Sequence, residues 1–399
     1  MVPVESVIEL GAERGAPQTE RRTSPTSRWW PVSALLLLCA LLGGAAPPAG
    51  LTAVAGPMLP ERSVVLGGGA SLLVVEPGAD RPSMTAYDPA TPNGPPRWRV
   101  SVPPAAGWSA EPAGGLLLVT ERDATRRAVG TTARSAETGA PRWRRTDRVY
   151  PAGDGAVAVT EVRSVSDPGR RIEGAVRGVD PATGATRWTV PLPSTAVLAV
   201  LPGTPGAVLV VRDDGLARVY DVRDATVRGE GRLPPADYAP GNPQVVGDRL
   251  VLRHPTAGGG ELVGYDLPGL TARWRAPIDG GEVTTRACQG LLCAQDGRDR
   301  WALDPVTGER VWTWPGGAAW TVVPGGRDDS GPPLLLRPIE DGRRELVARA
   351  GRDGPVVVGV LPVGVRDCRA VAGALACRTP GGRLTVWAVY GSIRPARIA

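Results

Sequence analysis

An aspartate, a glycine and a tryptophan recur at nearly fixed offsets along this 399-residue chain, and that recurrence limits the fold more than any other feature. "AYDPATPNGPPRWRV" ends at Val100, "GVDPATGATRWTV" at Val190 and "ALDPVTGERVWTW" at Trp314. Clear copies close at Trp98, Trp143, Trp188, Trp274 and Trp312. The first two intervals are 45 residues each and the last is 38. The gap of 86 between Trp188 and Trp274 holds two units, the first a degenerate copy, "RVYDVRDATVRGEGRL", without a tryptophan. Two weaker units follow, through "LVARAGRDGPVVVGVL" and "LTVWAVYGSIRPARI". The count is eight units of roughly 40 residues between residues 62 and 399. Such a period signals an array of supersecondary units rather than a set of unrelated domains.

Inside each unit the pattern is strand-like. "GGLLLVTE", "GAVAVTEV", "AVLVVRD" and "DRLVLRH" are short runs rich in Val and Leu, bounded by glycine and aspartate. Beyond residue 62 no long 3.6-residue periodicity appears. Four short strands per unit predict an all-β chain, a β-propeller of about eight four-stranded blades, with seven as the alternative because the last two units are weakly marked. The 53 glycines and 42 prolines, spread along the whole chain, fit a protein of many turns.

The recurring element reads as a turn entering a strand. Asp180 can accept hydrogen bonds from the amides ahead of it, Pro181 presets φ, and Gly184 accepts a positive φ. Trp188 then fills a wedge between neighbouring blades, burying about 150–250 Å². Arg187 and Thr189 alternate around it and face the other way. "DPATGATRW" and "DPVTGERVW" resemble the tryptophan-docking repeats of the PQQ-binding-like β-propeller superfamily, which includes quinoprotein dehydrogenases and outer-membrane-assembly lipoproteins. The resemblance implies a blade-docking role for Trp98, Trp143, Trp188, Trp274 and Trp312. It also raises the question of a quinone cofactor. The family's dehydrogenases use adjacent cysteines, a Ca²⁺ held by Glu, Asn and Asp, and a considerably longer chain. No Cys-Cys dipeptide occurs here, and the only asparagines are Asn93, in a repeat turn, and Asn242, in a Pro-Gly loop. A non-catalytic chain without cofactor or metal is therefore expected.

Other chemistry finds little to work with. His254 is the sole imidazole, which leaves no Ser-His-Asp or Cys-His arrangement to assemble. Asp213-Asp214 and Asp328-Asp329 precede turns and read as solvated hairpin ends. "LGGGAS", from Leu66 to Ser71, lacks the lysine of a phosphate loop and reads as a hairpin. The net charge of +6 comes from arginines scattered among carboxylates, with no basic patch for nucleic acid.

Between Trp29 and Pro60 there is no charge at all. Residues 31–56 provide the run of about 20 apolar residues that a membrane-spanning helix needs, with a weak point at Pro47-Pro48. Arg21, Arg22 and Arg28 precede it and only Arg62 follows closely, so the positive-inside rule places residues 1–30 in the cytoplasm and 62–399 outside. The alternative is secretion after cleavage at "AVA", near Ala55. Of the five cysteines, Cys39 lies in the apolar run. Cys288 with Cys293, and Cys368 with Cys377, are spaced for two hairpin disulfides in an oxidising compartment. Turns at Gly290-Leu291 and Ala372-Gly373 would set each pair directly opposite at a non-hydrogen-bonded site. The sequence thus points to a monomeric, single-pass, extracytoplasmic scaffold for an unidentified envelope protein or polymer, with a quinone-binding propeller or an extracellular ligand sensor as alternatives.

Overall fold

The computed structural model describes residues 51–389 except 164–169, 193–196, 202–205, 237–241, 258, 280–282, 289, 297–298, 315–320, 326–333, 340–344 and 352–353. Asp328-Asp329 lies in one of the excepted segments. The described residues form strands and turns without a helix, arranged as eight four-stranded antiparallel sheets. Seven sheets are consecutive in the chain, over residues 64–101, 107–145, 148–191, 197–232, 244–279, 283–314 and 321–361. The eighth takes three strands from residues 366–388 and its fourth from the other end of the chain, Thr52–Met58.

The first strands of the eighth, first, second, third, fourth, fifth and sixth sheets neighbour one another in that order. A bridge between Gly325 and Ala370 links the seventh sheet to the eighth, and the strands Arg310–Trp314 and Gly354–Leu361 link the sixth to the seventh. This is the radial arrangement of a propeller, with first strands inside and fourth strands at the rim.

Eight apolar clusters hold the ring, each shared by two adjacent sheets. The period-two geometry of a strand divides its residues between two of them. In the strand Ala207–Val211, Leu209 and Val211 join the fifth sheet, while Val208 and Val210 join the third. The strand Ser71–Glu76 does the same with Leu73 and Val75 on one side and Leu72 and Val74 on the other. Burial on both faces explains why these segments read as continuous apolar runs instead of alternating ones.

One boundary differs from the sequence expectation. Thr52–Met58 is a strand, so the last five residues of the apolar stretch 31–56 belong to the sheets, ten residues ahead of the expected start at 62. Hydropathy alone cannot separate an uncharged strand from the end of an uncharged helix. No described helix is long and apolar enough to cross a membrane; the expected span, apart from Leu51 and that strand, lies outside the described residues.

Candidate functional site

Five turns between third and fourth strands share one geometry. The fifth residue donates its amide to the first residue's carbonyl in Gly139→Ser135, Gly184→Asp180, Ala225→Asp221, Leu270→Asp266 and Gly308→Asp304, at 2.7–3.0 Å. The fifth residue is left-handed each time, with φ of 70, 75, 62, 57 and 74°. Glycine enters that region freely; Ala225 and Leu270 do so at a cost. The aspartate completes the turn. Asp180 Oδ1 accepts from the amides of Ala182 (2.8 Å) and Thr183 (3.2 Å), and Asp304 Oδ1 from Val306 (2.8 Å).

The tryptophan then reaches the next sheet. Trp98 Nε1 donates to Ala136 O (3.0 Å), Trp143 to Pro181 O (2.7 Å), Trp188 to Val222 O (2.9 Å) and Trp274 to Pro305 O (2.8 Å). Each acceptor is the second residue of the neighbouring turn. The ring lies on the left-handed residue of that turn: a Cβ added to Gly139, Gly184 or Gly308 would come within 2.4–2.7 Å of Trp98, Trp143 or Trp274. Trp312 is buried in the cluster that contains Leu335 of the seventh sheet.

Two further partners of the ring are not obvious from the motif. Opposite every tryptophan on the third strand stands a small residue: Ala86, Ala133, Gly178, Gly264 or Ala302. In the copy without tryptophan the volumes are exchanged. Gly229 takes the tryptophan position, Val219 stands opposite it, and Leu270 replaces the glycine of the next turn and is buried. The signal was present as a small residue ten positions before all these tryptophans except Trp98, where two extra residues intervene.

The arginine beside the tryptophan is spent on the same turn. Arg187 pairs with Asp180 (2.9 Å), Arg228 with Asp221 (2.5 Å), Arg97 with Asp88 (2.8 Å) and Arg273 with Asp266. Hydrogen bonds from Arg97 and Arg187 hold the Asp88 and Asp180 carboxyls below their usual range. Asp221 is lowered most, chiefly by Arg223 with Arg228 behind it. A folded-state pKa below the unfolded value near 3.9 gives stability that is complete above that value and lost as pH falls through the folded one. The urea midpoint should therefore hold between pH 7 and 5 and fall below pH 4; a midpoint unchanged at pH 3 would remove these pairs from the energetics.

Several other buried polar groups are similarly engaged, although the hydroxyls of Ser63 and Thr85 and the Trp108 Nε1 are buried without a hydrogen-bond partner among the described residues. His254, 4% exposed, has Nδ1 3.0 Å from the Pro235 carbonyl and Nε2 2.8 Å from the Tyr265 hydroxyl. The carbonyl can only accept, so Nδ1 carries the proton and Tyr265 donates to Nε2. Buried Glu121 accepts from Thr132 (3.2 Å) and pairs with Arg144 (2.6 Å). Arg134, its pKa lowered by burial, donates to Gly139 O (3.0 Å) and Ser101 O (3.3 Å). Arg378 donates to the carbonyls of Leu59, Pro60 and Glu61 at 3.1, 2.6 and 2.7 Å, clamping the chain that leaves Thr52–Met58. Asn93 lies in the turn closed by Gly94 N→Thr91 O, and Asn242 pins Arg253 with both amide atoms, at 3.0 and 2.8 Å. Asp213-Asp214 sits in a turn where Asp214 accepts from Leu216 N (3.0 Å), and Gly69 turns the Leu66–Ser71 hairpin at a φ of 63°. Among the described residues no group of three His, Cys, Asp or Glu is placed to hold a metal ion.

Both disulfides are present, Cys288–Cys293 with Cα atoms 5.7 Å apart and Cys368–Cys377 at 4.1 Å. The second has the anticipated turn, with Ala372 and Gly373 both left-handed between Val371 and Ala374, but the ladder shifts register between Arg366 and Arg369, so Cys368 sits at an irregularity and not in a regular pair with Cys377. The first does not. Cys288 pairs with Leu291 and Arg286 with Cys293, so the cysteines sit diagonally, the turn lying one residue earlier than Gly290-Leu291. Gly290, at a φ of 74°, suits the last position of that loop. Both disulfides join clusters that pack on the seventh sheet, whose fourth strand carries no tryptophan. Alkylation of the denatured, unreduced full chain should modify Cys39 alone; four further adducts would refute the pairing.

A family model described as outer membrane protein assembly factor BamB, of the PQQ-type repeat, matches residues 57–196, 132–291 and 173–323 in overlapping registers. The chain belongs to this family. Among solved structures, BamB from Moraxella catarrhalis matches at 17% identity and a TM-score of 0.52, over 85% of this chain and 99% of that one. The computationally designed Ika8 protein matches at 12% identity and a TM-score of 0.53, over 84% and 98%. At these identities the likeness is one of fold. No curated protein matches the sequence. The overlapping matches are what an internal repeat produces, since one stretch of the family model fits successive groups of sheets.

Proposed function

We propose that this chain is a non-catalytic, eight-bladed propeller, held outside the cell by one N-terminal membrane span, that binds a protein or polymer of the envelope. Membership of the BamB family supports the scaffold role. The observation that carries it is the fate of the polar residues. The repeated Asp, Arg and Trp, the lone histidine and the buried Glu121, Arg134 and Arg378 serve turns and sheet contacts, which leaves the loops at the two faces for recognition.

The strand Thr52–Met58 supports retention of the N-terminal segment. Cleavage after Ala55 would remove four of its residues, Thr52 to Ala55, all of them paired with the strand Arg383–Ala388. The span is then residues 31–50, long enough to cross a bilayer, with residues 1–30 inside. Photo-crosslinking from the propeller faces in intact cells should capture one dominant envelope component, and the captured chain should keep residues 1–55. A clear gain in thermal stability with PQQ and Ca²⁺, or quinone absorbance in the purified protein, would overturn the scaffold reading.

A further inference from the structure

The fourth strands at the propeller rim are exposed edges, and most are protected by charge. Those of the first six sheets each carry arginine, such as Arg99, Arg144, Arg187, Arg228, Arg273 and Arg310. Charge on an edge strand discourages contact with apolar surfaces and other strands. The fourth strand of the seventh sheet, Gly354–Leu361, has none, and the uncharged stretch continues to Val365. Val356, Val357, Val360 and Val363 are 62, 39, 44 and 50% exposed there, half of the large apolar side chains found exposed among the described residues. The outer strand of the eighth sheet, Thr52–Met58, is likewise uncharged, with Met58 exposed, so the apolar group lies on the one part of the rim that lacks arginine, and such a group marks an interaction surface.

The path of the chain indicates what covers it. Leu51 lies on this same strand, since a Cβ on Gly359 would fall 2.6 Å from Leu51 Cγ. Immediately before Leu51 comes the uncharged stretch 31–50, and immediately after it the strand Thr52–Met58 begins. One extended residue spans only about 3.5 Å, so a span ending at residue 50 would leave the bilayer beside Leu51. If residues 31–50 cross the bilayer, the rim bearing Leu51 is held at its surface.

We infer that the valines of Gly354–Val365 rest on the outer leaflet, so that the propeller stands on the membrane by its seventh sheet instead of swinging on its anchor. The inference depends on the membrane span proposed above. Apolar side chains seated in the interfacial zone, together with the absence of charge to desolvate, favour this contact. A second copy pairing along the same edge is the competing occupant. The orientation has a functional consequence: it fixes which of the propeller loops point away from the bilayer toward an envelope partner.

The test uses the full chain in phosphatidylcholine–phosphatidylglycerol vesicles. An environment-sensitive label is placed at Val360→Cys or, as a rim control, at Val227→Cys, which is 46% exposed on the fourth strand of the fourth sheet. Both variants carry Cys39→Ser. Nitroxide lipids labelled near the headgroup should quench the Val360 position about twofold more than the Val227 position, as expected for side chains seated in the interface. Equal, weak quenching in carbonate-resistant vesicles would overturn the contact while leaving the span intact. Protection at Val360 that depends on protein density and not on nitroxide lipid would assign the edge to a second copy and also overturn it. Release of the chain by carbonate would remove the span and the contact together.

Discussion

A chain that starts at Gly56 should be less stable than one that starts at Leu51 by about 2–6 kcal/mol, from four lost residue pairings at roughly 0.5–1.5 kcal/mol per hydrogen bond. Thr52, Ala53, Val54 and Ala55 pair with Ala388, Trp387, Val386 and Thr385, and their removal leaves the strand Arg383–Ala388 as a bare edge. That edge reads "LTVWAV", apolar and without charge from Leu384 onward, the kind of strand that pairs with other chains when uncovered. The shortened chain should therefore aggregate on heating as well as melt earlier, which light scattering recorded alongside circular dichroism would show. Arg378→Met should reproduce part of the loss, because it releases the carbonyls of Leu59, Pro60 and Glu61 while keeping the strand itself. Identical melting of the two truncated chains would mean that the ring closes without Thr52–Met58. It would also reopen the case for a mature protein that begins at Gly56.

The sequence disclosed the repeat because each unit has the same mechanical problem, and a tryptophan with its turn is a conspicuous way to solve it. What remained hidden lies where the solution involves residues far apart or of ordinary type. The eighth sheet is built from both ends of the chain, and nothing in "TAVAGPM" distinguishes a closing strand from the end of an apolar span. The register of the Cys288 hairpin turned on which of two adjacent dipeptides forms the loop, a one-residue choice that cysteine spacing alone leaves open. The missing tryptophan at Gly229 reads as decay in the sequence, whereas in the fold Val219 stands opposite it and Pro268 closes on it too tightly for any side chain. As for the candidate site, the residues that stand out in the sequence are those that lock the ring. The loops that would recognise a partner carry no period, so they offer no pattern to read.

The lock itself predicts a measurable coupling between Gly308 and Trp274. Trp274→Ala should cost about 3 kcal/mol, the lower end of the range for truncating a packed aromatic side chain, because the ring is only partly buried. Gly308→Ala should cost about 1–3 kcal/mol, part from a left-handed alanine and part from overpacking, because its methyl would meet the Trp274 ring at 2.4 Å. The fold shows that the backbone term alone is survivable, since Ala225 and Leu270 hold the equivalent position at φ of 62 and 57°. Leu270 lies against Gly231 and not a ring; Ala225 packs in the cluster with Trp188, which still donates to Val222 O at 2.9 Å. A methyl can thus be accommodated if the ring gives way, so the single variant should fold and be measurable. In the Trp274→Ala background the steric part vanishes and only the backbone part remains. The double variant should then be less damaged than the two singles together by about 1–2 kcal/mol, within the range found for residues in contact. Strict additivity in urea denaturation would show that the ring does not bear on Gly308, and the account of how one blade grips the next would have to be given up.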